Sequence, residues 1–202
     1  MQKNKKTQTT SSAESIEKSR PQLEKNVRSL IEAIGENNSR EGLQDTPRRV
    51  VDALSKIFSG YGQDPKKIAT TFNAENYDEM IVMKDIEFYS SCEHHMLPFF
   101  GKAYIGYIPN KKIIGLSKIP RVVDIFARRL QNQERLTMEI AETLRELIDP
   151  RGVGVVIEAE HLCVKSRGVE KQNAKVVTSA MLGLFKKKLN TRNEFLRLIN
   201  HA

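Results

Sequence analysis

Apolar residues recur at helical spacing from Leu23 onward: Leu23, Val27, Leu30, Ile31 and Ile34 share one face, and Gly35 follows where a helix terminator belongs. The spacing predicts a helix ending there. Thr46-Pro47 reads as a cap and first turn, and Val50, Val51, Leu54, Ile57 and Phe58 form the stripe of a second helix before Gly60. Residues 80–91 alternate through Ile81, Met83, Ile86 and Phe88, which predicts a strand, and 102–108 predicts a second strand closed by Pro109-Asn110. Two further helical patterns follow: Ile119, Val122, Val123, Phe126 and Leu130, then Leu136, Ile140, Leu144 and Leu147, stopped by Asp149-Pro150 and Gly152. Residues 153–165 and 175–185 read as strands, and Thr191 is placed to cap a last helix.

The order after residue 80 is therefore β-β-α-α-β-β. Hairpins separated by a pair of helices predict an α+β fold with an antiparallel sheet and helices on one side, preceded by N-terminal helices, rather than a parallel βαβ fold. The chain divides into a polar tail at 1–21, a helical segment at 22–79 and the sheet-bearing domain at 80–202. The tail closes with Pro21 and has too little apolar content to offset ordering entropy, so it is expected to be flexible.

Charge adds one asymmetry. Lys and Arg number 33 against 25 Asp and Glu, a net charge of +8. Residues 1–21 hold five cations and two anions, residues 161–202 nine and two, which leaves −2 for the stretch between. A basic C-terminal segment suits an anionic ligand, although a solvated face is the commoner meaning of such an excess. No apolar run is long enough for a membrane span, and the N-terminus lacks a signal peptide's apolar stretch. A soluble, cytoplasmic protein is expected. Cys92 and Cys163 allow one disulfide at most, so reduced thiols fit better.

The candidate chemistry sits in two short segments, Cys92-Glu93-His94-His95 and His161-Leu162-Cys163, which contain both cysteines and three of the four histidines. Zinc takes thiolate and imidazole ligands in a tetrahedral shell, and Cys92 and His95 have the spacing at which two residues of a turn face one ion. On the predicted strand 153–165, His161 and Cys163 lie two apart and share a face, so one can bind while the other works beside the metal. Spacing alone does not choose the ligands. Four protein ligands would close the site as a structural one, and three would leave a position for water. A buried apolar role is the commoner one for a single cysteine. Taken jointly, the clustering points to metal. His201, beside the C-terminus, is read as surface.

At these residues the chain resembles the GTP cyclohydrolase I family, from about Arg40 through Asn200. The resemblance is carried by SSCEHHMLPFFGKAYIGYIP, IIGLSKIPRVVDIFARRLQNQERLT, VIEAEHLCVKSRGV and VVTSAMLGLF, in family order and spacing. It implies the tunnelling fold, whose β-β-α-α-β-β unit agrees with the order read above, and a homodecamer with active sites at subunit interfaces. It also implies Cys92, His95 and Cys163 as zinc ligands, with His94 and His161 as catalytic neighbours. The implied reaction is hydrolytic opening of the guanine imidazole ring of GTP, giving formate and 7,8-dihydroneopterin triphosphate, the first step of tetrahydrofolate and pterin biosynthesis. In that reaction zinc activates a water for attack at C8 and His161 shuttles protons.

By the same resemblance Gln133-Glu134 reads guanine, the carboxylate accepting from N1–H and the 2-amino group as a fork. Ser117, Lys118 and Arg121 match the triphosphate site, joined by Arg167 and by Arg49, although Asp52 stands where some relatives carry Lys. Each of these charged residues taken singly is more often a surface group. Two other readings are weighed. A tunnelling-fold enzyme acting on a pterin or deazaguanine would lack the combined CEHH and HLC pattern. A zinc-stabilised, non-enzymatic module with a basic nucleic-acid-binding surface would want interleaved aromatic and basic residues, but there is no Trp and no such stretch. Neither nucleic acid nor membrane is therefore expected as a partner.

Overall fold

The computed structural model describes residues 12–200, in two compact units divided after Gln63. Most of the expected polar tail, residues 1–11, and His201 lie outside the described residues.

The first unit is helical: α1 (Ser12–Lys18), α2 (Arg20–Ala33), a 3-10 turn (Glu41–Leu43) and α3 (Thr46–Ile57). The end of the segment expected to be a flexible tail is thus helical from Ser12 to Lys18. Gly35 at φ +88° follows α2 as expected. Thr46 opens α3 instead of capping it. Asp45 holds the cap position, and the Thr46 hydroxyl turns back to donate to Gly42 O at 3.3 Å. Arg20 pairs with Asp52 at 2.9 Å, tying α2 to α3 across their polar faces.

The second unit begins with α4 (Pro65–Ile68) and β1 (Thr71–Asn73), which pairs antiparallel with β4 (Lys112–Ile114). The main sheet runs β5 (Leu130–Gln131), β2 (Ile81–Cys92), β3 (Pro98–Ile108), β6 (Gly152–His161), β7 (Val176–Gly183). The β2–β3, β3–β6 and β6–β7 pairs are antiparallel, and the two residues of β5 run parallel to the end of β2. The helices α5 (Lys118–Ala127) and α6 (Gln133–Ile148) join the halves. Their stripes (Ile119, Val122, Val123 and Phe126; Leu136, Ile140 and Leu144) bury against Phe88, Phe99, Ile105, Val155 and Ile157 from one sheet face. At some 25 cal/mol per Å² of apolar surface removed from water, this continuous core is the main stabilising term of the unit.

Two predicted strands stop early. β6 ends at His161, and the chain turns into a single helical turn, α7 (Leu162–Lys165). Likewise β7 ends at Gly183, with α8 (Leu184–Lys187) and α9 (Leu189–Asn200) after it. Thr191 therefore lies inside α9 rather than capping it. Phe185 and Phe195 from these helices meet edge to face, ring centres 5.4 Å apart, and fill the opposite sheet face over Gly106 and Gly154. Those two glycines are register partners, and a Cβ on Gly154 would stand 2.6 Å from the Phe185 ring. Only a missing side chain leaves room for the aromatic pair.

Candidate metal centre and its surroundings

The end of the sheet where β2 stops gathers the predicted chemistry. Cys92 is the last residue of β2 and is buried. The following turn is closed by Cys92 N–H donating to Leu97 O at 2.8 Å and Met96 N–H to Cys92 O at 2.8 Å, with Met96 at φ +55°. This tight loop swings His94 and His95 back toward the sulfur they follow: the Nδ1 atoms of both stand 3.8 Å from Cys92 Sγ.

Cys163 arrives from the other side, on α7. Its donor atom and those of Cys92 and His95 all lie within 4.8 Å of one another, close enough to share one ion. The donor chemistry fits zinc, whose structural and catalytic sites combine thiolates with imidazole. The electrostatics agree. Burial pushes the Cys163 thiol up and the adjacent Cys92 pushes the same way, against the pull of the Arg167 guanidinium. A cation beside the Cys163 sulfur would favour its thiolate against that burial. The expectation that His161 and Cys163 share a strand face is corrected here, because the strand ends between them. It is α7, not strand alternation, that carries the Cys163 thiol to Cys92 and His95.

His161 is half-buried beside this group. Its ring stacks on Phe99, its register partner in β3, with centres 4.6 Å apart and planes 2° from parallel. Its Nε2 lies 2.8 Å from Gln133 Oε1. Burial pushes the imidazole below its ordinary range, while the Glu134 charge pulls it up, so that exposed carboxylate is felt at the ring. His94 is largely solvent-facing, with Nε2 3.8 Å from Glu93 Oε1.

Sequence reasoning missed the struts of this site. Glu93, between Cys92 and His95, accepts from Asn132 Nδ2 at 2.9 Å and from Arg135, which holds its carboxyl below the usual range. Its N–H donates to Gln131 O at 2.9 Å. Asn132 in turn caps α6 through Arg135 N–H at 2.8 Å. These bonds fasten the Cys92–His95 turn to the start of the helix that carries Gln133 and Glu134. The readable signal was Asn132 as an N-cap; nothing in the spacing pairs Glu93 with Arg135.

The cationic candidates are spread out. Arg167 is exposed and close enough for its charge to reach Cys163. Exposed Ser117, partly buried Lys118 and exposed Arg121 stand at the start of α5. It is the far end of α5 that leads to β5 and the Cys92 strand end. Ser117 and Lys118 thus stand at the end of α5 opposite the one that leads to β5, with Arg121 one turn further in. Arg49 lies in the first unit, exposed and paired with Asp45 at 3.4 Å. Among the described residues no helix is long and apolar enough to cross a membrane.

Comparison with known proteins bears on this arrangement. The sequence profile of GTP cyclohydrolase I matches residues 23–200, extending upstream of the recognised motifs to α2. The chain is 55% identical to GTP cyclohydrolase 1 of Wolinella succinogenes over 89% of this chain and 96% of that one. It is 58% identical to the Chlorobaculum tepidum protein of the same name, over 87% of this chain and 79% of that one. The corresponding Campylobacter jejuni protein is 56% identical, over 87% and 93%.

Proposed function

The chain belongs to the GTP cyclohydrolase I family, and from that premise we propose that it opens the imidazole ring of GTP at a zinc centre held by Cys92, His95 and Cys163. The observation that carries this reading is the convergence of those three donors beside a half-buried histidine. Zinc bound there supplies a Lewis acid that makes a water nucleophilic near neutral pH. The remaining work belongs to side chains. Glu134, exposed on the first turn of α6, accepts from N1–H and the 2-amino group and orients C8 toward the metal group. His161 takes and returns the protons that ring opening moves, and His94 assists at the solvent side. The products are formate and 7,8-dihydroneopterin triphosphate, a precursor for tetrahydrofolate and pterins.

Ser117, Lys118, Arg121, Arg167 and Arg49 are proposed to bind the triphosphate, where arginine forks suit phosphate oxygens. The family resemblance implies a site shared between two copies, and we propose that the phosphate cations of one serve the metal group of another. The sheet edges support self-association. β5 covers only Ser91 and Cys92 of the outer side of β2, and β7 presents Val176 and Val177, 38% and 61% exposed. We infer a ring-like homodecamer in the cytoplasm. A zinc-stabilised nucleic-acid module gains nothing from the fold or the relatives.

The test is incubation with GTP before and after chelation, following formate, pterin absorbance and bound zinc. Formate release that tracks zinc occupancy is expected. Full release from metal-free protein would overturn the metal assignment.

A further inference from the structure

We propose that Gln133 is the positioning residue that fixes which nitrogen of His161 carries the proton, and that its side chain is thereby unavailable to the guanine. The inference rests on the reading of His161 as the proton carrier. Gln133 is 2% exposed, and both ends of its amide are engaged. One end stands 3.0 Å from Ile157 O, 3.0 Å from Val176 O and 3.1 Å from Thr178 Oγ1. Backbone carbonyls have no proton to give, so the atom facing two of them is the amide nitrogen; the flipped amide would press oxygen against oxygen.

The other end is then the amide oxygen, 2.8 Å from His161 Nε2. An amide oxygen only accepts. Nε2 must therefore carry hydrogen, and in the neutral ring the lone pair lies on Nδ1. The parallel Phe99 ring removes the remaining freedom by holding the plane of the imidazole. Two carbonyls on separate strands thus dictate, through one buried amide, the face on which the histidine is basic.

For the reaction this assigns an atom. A proton taken up at Nδ1 gives an imidazolium whose Nε2–H remains on Gln133, and the same proton leaves again from Nδ1. No proton passes through Gln133. Glu134 next to it, exposed and unburdened by this network, is left as the side chain that reads the base.

The test uses the zinc-loaded protein with ¹⁵N-labelled histidine rings, His161 being assigned by the resonance missing from His161→Gln. The wild type should show His161 protonated at Nε2 with a bare Nδ1. Gln133→Met, which keeps the length but cannot accept in this way, should shift that resonance toward a tautomer mixture. Its kcat should fall by about 10²-fold, as expected for a displaced catalytic group, with zinc content full and the KM for GTP within roughly threefold. A wild-type His161 protonated at Nδ1 would overturn the proposal without any variant. So would a Gln133→Met protein with the tautomer unchanged and KM raised many-fold, the signature of a base-reading residue. Wild-type formate release from His161→Gln would instead defeat the proton-carrier reading alone, because the tautomer is measured in the substrate-free protein.

Discussion

At one end of the β3–β6 ladder Gly106 faces Gly154, and Phe185 and Phe195 fill the space their missing side chains leave. At the other end Phe99 faces His161, and the imidazole is stacked on that ring and partly buried. The same pairing rule builds both ends. At the glycine end the buried Phe185 and Phe195 rings fill the space, so its contribution is stability; at the histidine end the Phe99 stack and the Gln133 amide fix the orientation of a ring that is only partly buried. On the reading proposed above, fold and reaction are distributed along one pair of strands instead of being mixed.

Mutations at the two ends should separate accordingly, and turnover per folded subunit ranks them. Cys92→Ser or Cys163→Ser should abolish formate release together with bound zinc, read by metal analysis; retention of full zinc by both would erase the distinction between the ends. His161→Ala should slow formate release by roughly 10²–10⁴-fold while zinc content and GTP binding persist. Loss of zinc in that variant would make His161 a ligand. Glu134→Gln removes half of a charged acceptor fork and should lower kcat/KM for GTP by about 10–10²-fold, narrowing the preference for GTP over ITP in a competition assay. Phe195→Ala belongs to the glycine end: turnover per folded subunit should change less than about twofold, but stability should fall by about 3–5 kcal/mol in denaturant titration. A large turnover loss there, with the fold intact, would show that the two ends are coupled.

Much of the sheet and helix order was legible because the core alternates in strands and repeats every three to four residues in α5 and α6, where burial follows sequence period. What was not legible is where strands stop. Leu162-Cys163-Val164-Lys165 continues an apolar alternation, yet it folds as a helical turn, fastened by Lys165 Nζ to Glu160 at 2.6 Å and by the Ser166 hydroxyl to Leu162 O at 2.7 Å. Those bonds depend on a turn that must already exist, so no periodicity announces them. The metal cluster was visible as composition, and Cys92 and His95 as a spacing, but Cys163 reaches them through that turn. Gln133 illustrates the opposite case. Its residue type was noticed, while its three-acceptor environment comes from β6 and β7, which contact α6 only in the folded chain.

The Phe99–His161 rung also sets an order in time. Cys92 and His95 are neighbours from the moment their turn forms, but Cys163 is delivered only when β6 has zipped along β3 to its last pair, a contact between segments far apart in sequence. Loop closure of that length is slow compared with forming α5 or α6. In a refolding experiment the three-donor group should therefore be completed after α5 and α6. Capture of a metal by all three donors would lag the recovery of helical signal, marking the moment the sheet closes.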